Sequence, residues 1–511
     1  MTDPSRGPVP GWVVLGALLL LALAVRLVWI VADPLWIDEA ATLAIASMRW
    51  EVIWGPMAAA ESSPPGYYAL AKLWGSVFGA DIVAARMLSV AAGVAALVPV
   101  WWLAREAFGG RAAWVAAAVV ALSASHVRLS QDARVYAVLF LVTVLAMFAA
   151  HRLVAAVHGD RQGRAAAVAL GGAMAVGIWL HPTAGIIALS LNAFVLAALP
   201  WRAAGWRRGV ALLALANVVA LVVAAPPIAA VLGHVGVEDG YVDRWIVSPT
   251  IFDTARLYLR TKVGPHLGIV SLVALALQLV LLWAAARAWW RGGAPVLAGL
   301  AAMLVAGGVL MPVVSQFRPV LLDRTALFLL APLALLLAAG AARLSRRAAV
   351  MVVVPLLALG AAGVAGWHLK EHRKERWDLL AEMLAAHGRA EERLVLAEGV
   401  FPEVSLAWHL GRIGAPVPPM VILAPTSDME RLVARELGRG RVVEPEGLCA
   451  ALGGHGVAWL VLRQLPDLVD DDAGFTRRVG ARAALIAAGG QLAETLETPG
   501  LELERWAVPP C

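Results

Sequence analysis

Residues 12–31 read WVVLGALLLLALAVRLVWIV, an apolar run that contains a single charged residue, Arg26. A stretch of about 20 apolar residues is long enough to cross the hydrocarbon core of a bilayer as one helix. Arg6 precedes the run, and no small-residue cleavage site ends it, so we interpret it as an uncleaved signal anchor. The chain is therefore predicted to enter the membrane with its first helix.

The remainder of the chain has the composition of a polytopic membrane protein. Of its 511 residues, 61% are hydrophobic and only 15% are charged, and the mean hydropathy is +0.76. Water cannot solvate so much apolar surface, so membrane lipids must solvate most of it. The apolar runs predict about eleven membrane helices, at 12–31, 83–104, 112–124, 134–154, 165–180, 183–200, 209–232, 267–289, 295–314, 322–341 and 348–367.

Short arginine clusters occupy every second connection between these runs. Basic residues in short loops mark the cytoplasmic side of a membrane protein. We therefore place the N-terminus in the cytoplasm and the chain in a bacterial inner membrane. The net charge of +6 and the pI of about 9.7 are then a topology signal and do not indicate a nucleic-acid partner. The clusters comprise Arg105 and Arg111; Arg152, Arg161 and Arg164; Arg202, Arg207 and Arg208; Arg287 and Arg291; and Arg343, Arg346 and Arg347.

After the last run the chain is polar, and we divide it into a membrane domain, residues 1–369, and a periplasmic domain, residues 370–511. In the second part, short apolar runs alternate with helical stretches, which predicts a small α/β domain. It has no P-loop and no GxGxxG after a strand, so nucleotide binding is not supported. The acidic run at 470–472 is interpreted as a solvated turn. The spacing of Cys449 and Cys511 excludes a zinc motif but leaves a disulfide undecided.

Two adjacent carboxylates, Asp38 and Glu39, follow the first helix close to the outer membrane surface. A charge is costly there unless it is used or paired. Such a carboxylate can act as a general base on a hydroxyl group, or it can hold a divalent cation such as Mg²⁺ or Mn²⁺ against a phosphate. If a metal binds, Asp132 is the candidate for a third ligand. Both carboxylates could equally be solvated in a loop.

Other outer loops place arginine residues at the same predicted depth. Asp132 and Arg134 lie in the second outer loop, and Arg318 and Arg324 lie in the fifth. Arginine pairs with phosphate oxygens in a planar, bidentate geometry and keeps its charge at every relevant pH. Converging acids and guanidinium groups therefore suit a phosphate-bearing substrate. Asp323, next to Arg324, could alternatively form a local ion pair at a helix start.

Four outer segments follow one another in a characteristic order. They are Trp36-Ile37-Asp38-Glu39, Ser63-Pro64-Pro65-Gly66-Tyr67-Tyr68, Ser130-Gln131-Asp132-Ala133-Arg134-Val135-Tyr136 and the late Arg324. Together they resemble the GT-C glycosyltransferases related to protein O-mannosyltransferases and aminoarabinose transferases, over roughly residues 12–367. The resemblance implies an all-helical GT-C membrane domain with a conical outer cavity. It also implies a polyprenyl-phosphate sugar donor and transfer with inversion on the periplasmic face.

The resemblance assigns roles to the site residues. Asp38 matches the catalytic aspartate and would activate an acceptor hydroxyl, whereas Glu39 would orient the acceptor or help to bind a metal. Arg324 and Arg134 would stabilise the departing polyprenyl phosphate. The acceptor, whether lipid, glycan or protein, is not specified by the sequence.

One position departs from the pattern of these relatives. The residue before Pro64 is often Lys or His in them, where it can meet the donor phosphate, and here it is Ser63. Phosphate recognition must then depend more on Arg134, Arg318 or Arg324.

Several aromatic and histidine residues complete the candidate site. Tyr67, Tyr68 and Trp36 could stack on a sugar, or they could lie at the membrane interface, which we favour for Trp36. His126 and His181 could titrate near neutral pH, although we favour a structural role for His181.

Two other classes of protein remain open. A flippase for a lipid-linked sugar would use similar cationic residues, but we find no internal repeats of the kind that such transporters contain. A non-catalytic scaffold for envelope glycan assembly would leave the outer carboxylates merely solvated.

Overall fold

A computed structural model describes residues 11–61, 63–158, 162–202, 205–233, 249–263, 269–292, 294–370, 374–389, 392–397, 399–423, 428–438, 441–453, 456–463 and 472–510. Asp470 and Asp471, in the predicted acidic turn, lie outside these residues. Cys449 is disulfide-bonded, and the other cysteine of the chain, Cys511, also lies outside them.

The described part of the chain is mainly helical, with one sheet near its C-terminal end. The helices are α1 (Gly11–Leu27), α2 (Ile37–Ser47), α3 (Trp50–Trp54), α4 (Pro56–Ala60), α5 (Gly66–Phe78), α6 (Ile82–Ala95), α7 (Leu97–Phe108), α8 (Gly110–Ala121), α9 (Ala124–Leu129), α10 (Tyr136–Ala155), α11 (Gln162–Leu180), α12 (Ala184–Ala198), α13 (Trp206–Val223), α14 (Ala225–Gly233), α15 (Ile251–Val263), α16 (Ile269–Trp290), α17 (Val296–Ser315), α18 (Leu330–Arg343), α19 (Arg346–His368), α20 (Trp377–His387), α21 (Phe401–Arg412), α22 (Asp428–Leu437), α23 (Leu448–Leu452) and α24 (Asp472–Ala487). The strands are β1 (Arg393–Leu396), β2 (Met420–Leu423), β3 (Arg441–Val443), β4 (Val457–Arg463), β5 (Gln491–Thr498) and β6 (Leu501–Ala507).

The predicted membrane helices are present. In the described residues, eight helices are long and apolar enough to cross a membrane, among them Ile82–Phe108, which joins α6 and α7, and Thr325–Arg343, which adds a 3₁₀ turn to α18. Three shorter apolar helices, α1, α8 and α12, fall on the other predicted runs. The protein is therefore an integral membrane protein. The apolar runs of its sequence located most of the helices to within a few residues.

The first compact unit comprises Met1–Ile30, Arg86–Gly233 and Ser248–Leu369, and contains these membrane helices apart from the first turn of α6. Small residues allow its helices to approach closely. A side-chain carbon at Gly340 would lie 2.0 Å from the backbone oxygen of Leu281 in α16. Asn192 of α12 and Asn217 of α13 exchange side-chain hydrogen bonds of 3.0 and 2.7 Å. Close backbone contact and paired amides are typical ways to join helices in a membrane.

The second compact unit contains the sheet, in the order β3-β2-β1-β4-β6-β5. β1 to β4 are parallel, whereas β6 runs antiparallel to both β4 and β5. Alternate residues of β1 enter different apolar clusters: Leu394 and Leu396 lie in one, and Val395 lies in the other. Both faces of the sheet are thus covered, as the predicted α/β domain requires.

The second unit is larger than the domain predicted from the sequence. Besides Lys370–Cys511 it contains Val31–Ala85, the segment that includes α2 to α5, and also residues 234–247, which are not described. α2 to α4 are too short to cross a membrane, because they have only 5 to 11 residues. Their apolar side chains instead share a core with α20, α21 and the sheet, and Ile45 and Ile53 are fully buried in that core. The predicted boundary at residue 369 is therefore replaced by a division that groups residues 31–85 with the C-terminal part.

This shared core predicts that a change in α3 destabilises the remote sheet. Ile53→Ala leaves a cavity and should reduce the stability of the second unit by about 2–5 kcal/mol. Protease resistance of the C-terminal part, followed with rising temperature, measures this loss. Leu73→Ala, at a 56% exposed position of α5, is the control and should change stability by no more than about 0.5 kcal/mol. Equal resistance of both variants would show that the two segments do not share a core.

Candidate active site

The first turn of α2 carries both predicted carboxylates. Trp36 caps the helix in an extended conformation, and Asp38 and Glu39 follow in the first turn. Negative side chains are favourable there because the helix dipole is positive at its N-terminus. Successive helical residues point about 100° apart, so the two carboxylates have different surroundings. Asp38 is half-buried, whereas Glu39 is completely buried.

Glu39 is held by a lysine that the sequence pattern did not reveal. The Lys374 ammonium donates to Glu39 Oε2 at 3.1 Å, and only 5% of the Lys374 side chain is exposed. Nζ also lies 6.0 Å from the centre of the Trp36 ring. The 335 positions that separate the ion pair in sequence leave no local signal for it.

A second contact fixes the chain just before α2. The backbone N–H of Leu35 donates to Nε2 of His409 at 3.2 Å, and both residues are buried. His409, in α21, therefore holds the chain at the start of α2.

The Ser-Pro-Pro-Gly-Tyr-Tyr segment forms the start of α5. The backbone N–H of Ser63 donates to Glu61 Oε1 at 3.0 Å. Tyr67 and Tyr68 are only 5% and 7% exposed, and Tyr68 lies in the shared core. Stacking of these rings on a sugar stays a prediction, and in this structure both rings are packed inside the protein. Trp36 is partly buried and packs against the shared core.

In the first unit, Arg134 and Arg324 lie close enough to His181 for their charges to act on its imidazole. Burial, followed by the positive charges of Arg134 and Arg324, lowers the pKa of His181 to about 3. The ring of His181 lies 5.8 Å from that of Tyr136, and the Arg324 guanidinium carbon lies 5.9 Å from the centre of the Tyr136 ring. We call these four residues the arginine cluster.

The protonation of His181 follows from its hydrogen bonds. Nδ1 accepts from the backbone N–H of Thr183 at 3.2 Å and lies 2.8 Å from its hydroxyl oxygen. The neutral ring then carries its proton on Nε2. A neutral N–H donor beside two guanidinium groups is suited to binding an anion. This contact with Thr183 is the kind of interaction that the structural role favoured for His181 requires.

The turn before α10 positions Arg134. Gln131 is buried and donates to the backbone oxygens of Arg26 and Val28 at 3.1 and 2.7 Å. The Ser89 hydroxyl donates to the backbone oxygen of Arg134 at 3.1 Å. Asp132, which lies between Gln131 and Arg134 in the sequence, is only 5% exposed. Hydrogen bonds to two neighbouring segments thus fix the backbone that carries Arg134.

The loop between α17 and α18 contributes Arg324 to the arginine cluster. Its neighbour Asp323 forms an ion pair with Arg128, a partner that is remote in sequence. The Arg128 guanidinium carbon also lies 5.7 Å from the centre of the Trp367 ring. Arg318 is half-buried, and within the described residues we find no side-chain hydrogen bond or ion pair that joins it to the arginine cluster.

His126 is a structural residue. It is completely buried, and its Nδ1 lies 2.7 Å from the Arg26 guanidinium, which must donate to it. Burial, and then the charge of Arg26, lower the pKa of His126 well below its usual value. The expectation that His126 titrates near neutral pH is therefore wrong.

The described residues do not fit a metal site. Among them, no three His, Cys, Asp or Glu side chains are grouped so that they could hold a metal ion. Glu39, one of the predicted ligands, is instead neutralised by an ammonium group. We therefore derive no step through a metal ion.

Comparisons with known proteins show which families and structures this chain is similar to. A family model described as dolichyl-phosphate-mannose-protein mannosyltransferase matches residues 62–229. The chain is similar to ArnT from Cupriavidus metallidurans in the apo state, with 16% identity, a TM-score of 0.66, and coverage of 97% of this chain and 98% of that chain. The same ArnT bound to undecaprenyl phosphate also has 16% identity and a TM-score of 0.66, with 98% of each chain covered.

A more distant structural match is AglB, the archaeal oligosaccharyltransferase from Archaeoglobus fulgidus, solved with an inhibitory peptide and a dolichol-phosphate. Its identity is 12% and its TM-score 0.55, over 97% of this chain and 74% of that chain. A search of curated proteins found no match. The fold expected from the four motifs is confirmed: the chain has the GT-C fold of these solved structures, with a small C-terminal α/β part.

Proposed function

We propose that this protein transfers a sugar from a polyprenyl-phosphate donor to a hydroxyl group of a lipid, glycan or protein acceptor, with inversion at the sugar. The observation that carries the proposal is the arginine cluster, which places two guanidinium groups and a neutral imidazole donor together. Two of the solved structures that share this fold contain undecaprenyl phosphate or dolichol-phosphate. A phosphate on a polyprenyl chain is the anion that a membrane-embedded protein would bind with such a cluster.

The arginine cluster would hold the phosphate of the donor. Arg134 and Arg324 can each pair with phosphate oxygens in a bidentate geometry. The negative charge on the leaving oxygen grows as the bond from the sugar to phosphate breaks. Fixed positive charges stabilise that state more than the ground state, and this difference accelerates the reaction.

Asp38 would act as the general base. It would take the proton from the acceptor hydroxyl while the hydroxyl oxygen attacks the anomeric carbon, and the bonding pair would leave with the polyprenyl phosphate. One carboxylate suffices for this single displacement, which inverts the anomeric carbon. Glu39 is less suitable as the base because it is completely buried and already paired with Lys374. This burial and this ion pair support a role for Glu39 in positioning Asp38. They support the predicted roles in acceptor or metal binding less well.

The proposed orientation follows from the arginine-rich connections, which would lie in the cytoplasm of a bacterial inner membrane. The N-terminus would then be cytoplasmic, and α2 and the sheet would lie in the periplasm. Alkaline phosphatase fused at the C-terminus should be active, whereas a fusion at Arg207 should be inactive. The reverse result would refute the orientation.

The arginine cluster predicts that position 324 requires a guanidinium group. Arg324→Lys keeps the charge but loses the planar pair of donors, so turnover should fall by about 10- to 100-fold while the protein still folds. Release of undecaprenyl phosphate from a panel of undecaprenyl-phosphate monosaccharides, with a membrane extract as acceptor, measures turnover. Arg318→Lys is the matched control from the same loop and should stay close to wild type. A larger loss in the control would place the phosphate near Arg318 instead.

The base role predicts the largest effect at Asp38. Asp38→Asn keeps the size of the side chain but removes the basic oxygen, so turnover in the same assay should fall by about 100- to 10,000-fold. Binding of undecaprenyl phosphate should change little. Asp81→Asn, at an exposed aspartate of the same unit that accepts from the N–H of Ala84, is the control and should remain active.

Two results would contradict the proposal. Turnover of Asp38→Asn near the wild-type rate would show that Asp38 is not the base. Wild-type protein that binds undecaprenyl phosphate but never releases it from any donor of the panel would favour a flippase or a scaffold.

A further inference from the structure

The ion pair between Glu39 and Lys374 is unusual because both of its charges are buried. Glu39 is 0% exposed, and 5% of the Lys374 side chain is exposed. Removing two charges from water is costly, and their attraction offsets the cost only when the geometry is good. Replacement of one partner leaves a buried charge without compensation, whereas replacement of both can be nearly neutral. The pair is therefore weak evidence for stability alone, and a role in specifying one geometry accounts for it better.

The surroundings of Asp38 show which geometry the pair specifies. Before it, the N–H of Leu35 donates to His409, and Ile37 is buried in the shared core. After it, Glu39 is tied to Lys374 at 3.1 Å. Asp38 lies between these anchors and is itself only half-buried. Its neighbours are thus fixed from the C-terminal part of the chain, while Asp38 itself is less buried than either of them.

Lys374 could in principle serve the donor phosphate in place of the lysine or histidine that is absent at Ser63. Its side chain is 5% exposed, and its ammonium already donates to Glu39. A phosphate would have to enter the protein interior and displace a carboxylate in order to reach it. The observed contacts therefore favour an indirect action through Glu39.

We propose that Lys374 is a positioning residue for the reaction. Its ammonium holds the Glu39 carboxylate, which fixes the first turn of α2 and so sets the direction in which Asp38 presents its carboxylate. This inference depends on the proposed function, in which Asp38 is the base. It also gives the C-terminal part of the chain a catalytic purpose, because that part supplies Lys374 and His409.

The test is a double-mutant cycle on the full-length protein in nanodiscs. Lys374→Met should lower kcat by about 10- to 100-fold, because small displacements of a catalytic group have effects of that size. KM for the panel donor that supports turnover, and the affinity for undecaprenyl phosphate, should change less than threefold, since the arginine cluster is untouched. Combining Lys374→Met with Glu39→Gln removes both buried charges and should restore kcat at least threefold relative to Lys374→Met alone.

Arg482→Met is the matched control, because it breaks an ion pair with the buried Glu504 in the sheet of the same unit. It should lower thermal stability while leaving kcat per folded protein unchanged. The inference is wrong if Lys374→Met behaves like this control, or if the double variant is no better than the single one. Those results, combined with loss of turnover in Asp38→Asn, would leave the proposed function intact. Near wild-type turnover in Asp38→Asn would overturn both.

Discussion

The structure around α2 depends on one electrostatic constraint, which is that a completely buried carboxylate needs a cation. Glu39 meets it with Lys374, so the segment after the first membrane helix is tied to residues more than three hundred positions later. The apolar faces of α2 to α4 also contact this later part of the chain, since they bury their side chains against α20 and α21. A segment that connects two membrane helices is thereby packed into a folded core. Rigid support of this kind is what a catalytic group requires, because its effect depends on accurate placement.

The apolar segments of this fold could be predicted from the sequence, because hydrophobic runs of span length rarely occur outside membrane helices. The short apolar runs after residue 370 likewise located β1, β2 and β4, since alternation with helical stretches is typical of an α/β domain. The partner of residues 31–85 could not be predicted. The short amphipathic helices of residues 31–85 carry an apolar face that must be buried. Their own sequence does not identify the surface against which that face packs. Only tertiary contacts, such as those of Ile53 and Leu35, decide that question.

The candidate site shows the same limit in its charged residues. Sequence position drew attention to Arg134, Arg318 and Arg324 alike, and it offered Arg324 as an alternative partner for Asp323. The structure separates these residues through contacts that are remote in sequence, namely the ion pair of Arg128 with Asp323 and the shared proximity of Arg134 and Arg324 to His181. His126 was misjudged because burial against Arg26 removes its ability to titrate near neutral pH. Residue type and depth suggest candidates, whereas partners assign their roles.

The proposed reaction requires few catalytic groups at the bond that breaks. A polyprenyl phosphate is already a good leaving group, so one base and a set of fixed positive charges would suffice. A single base implies one displacement at the anomeric carbon, without a covalent intermediate on the protein. The most direct test is the anomeric configuration of the product, determined by NMR from a donor of defined anomer. A single displacement by an Asp38-activated hydroxyl gives the inverted anomer, and a product that retains the configuration of the donor would rule this mechanism out.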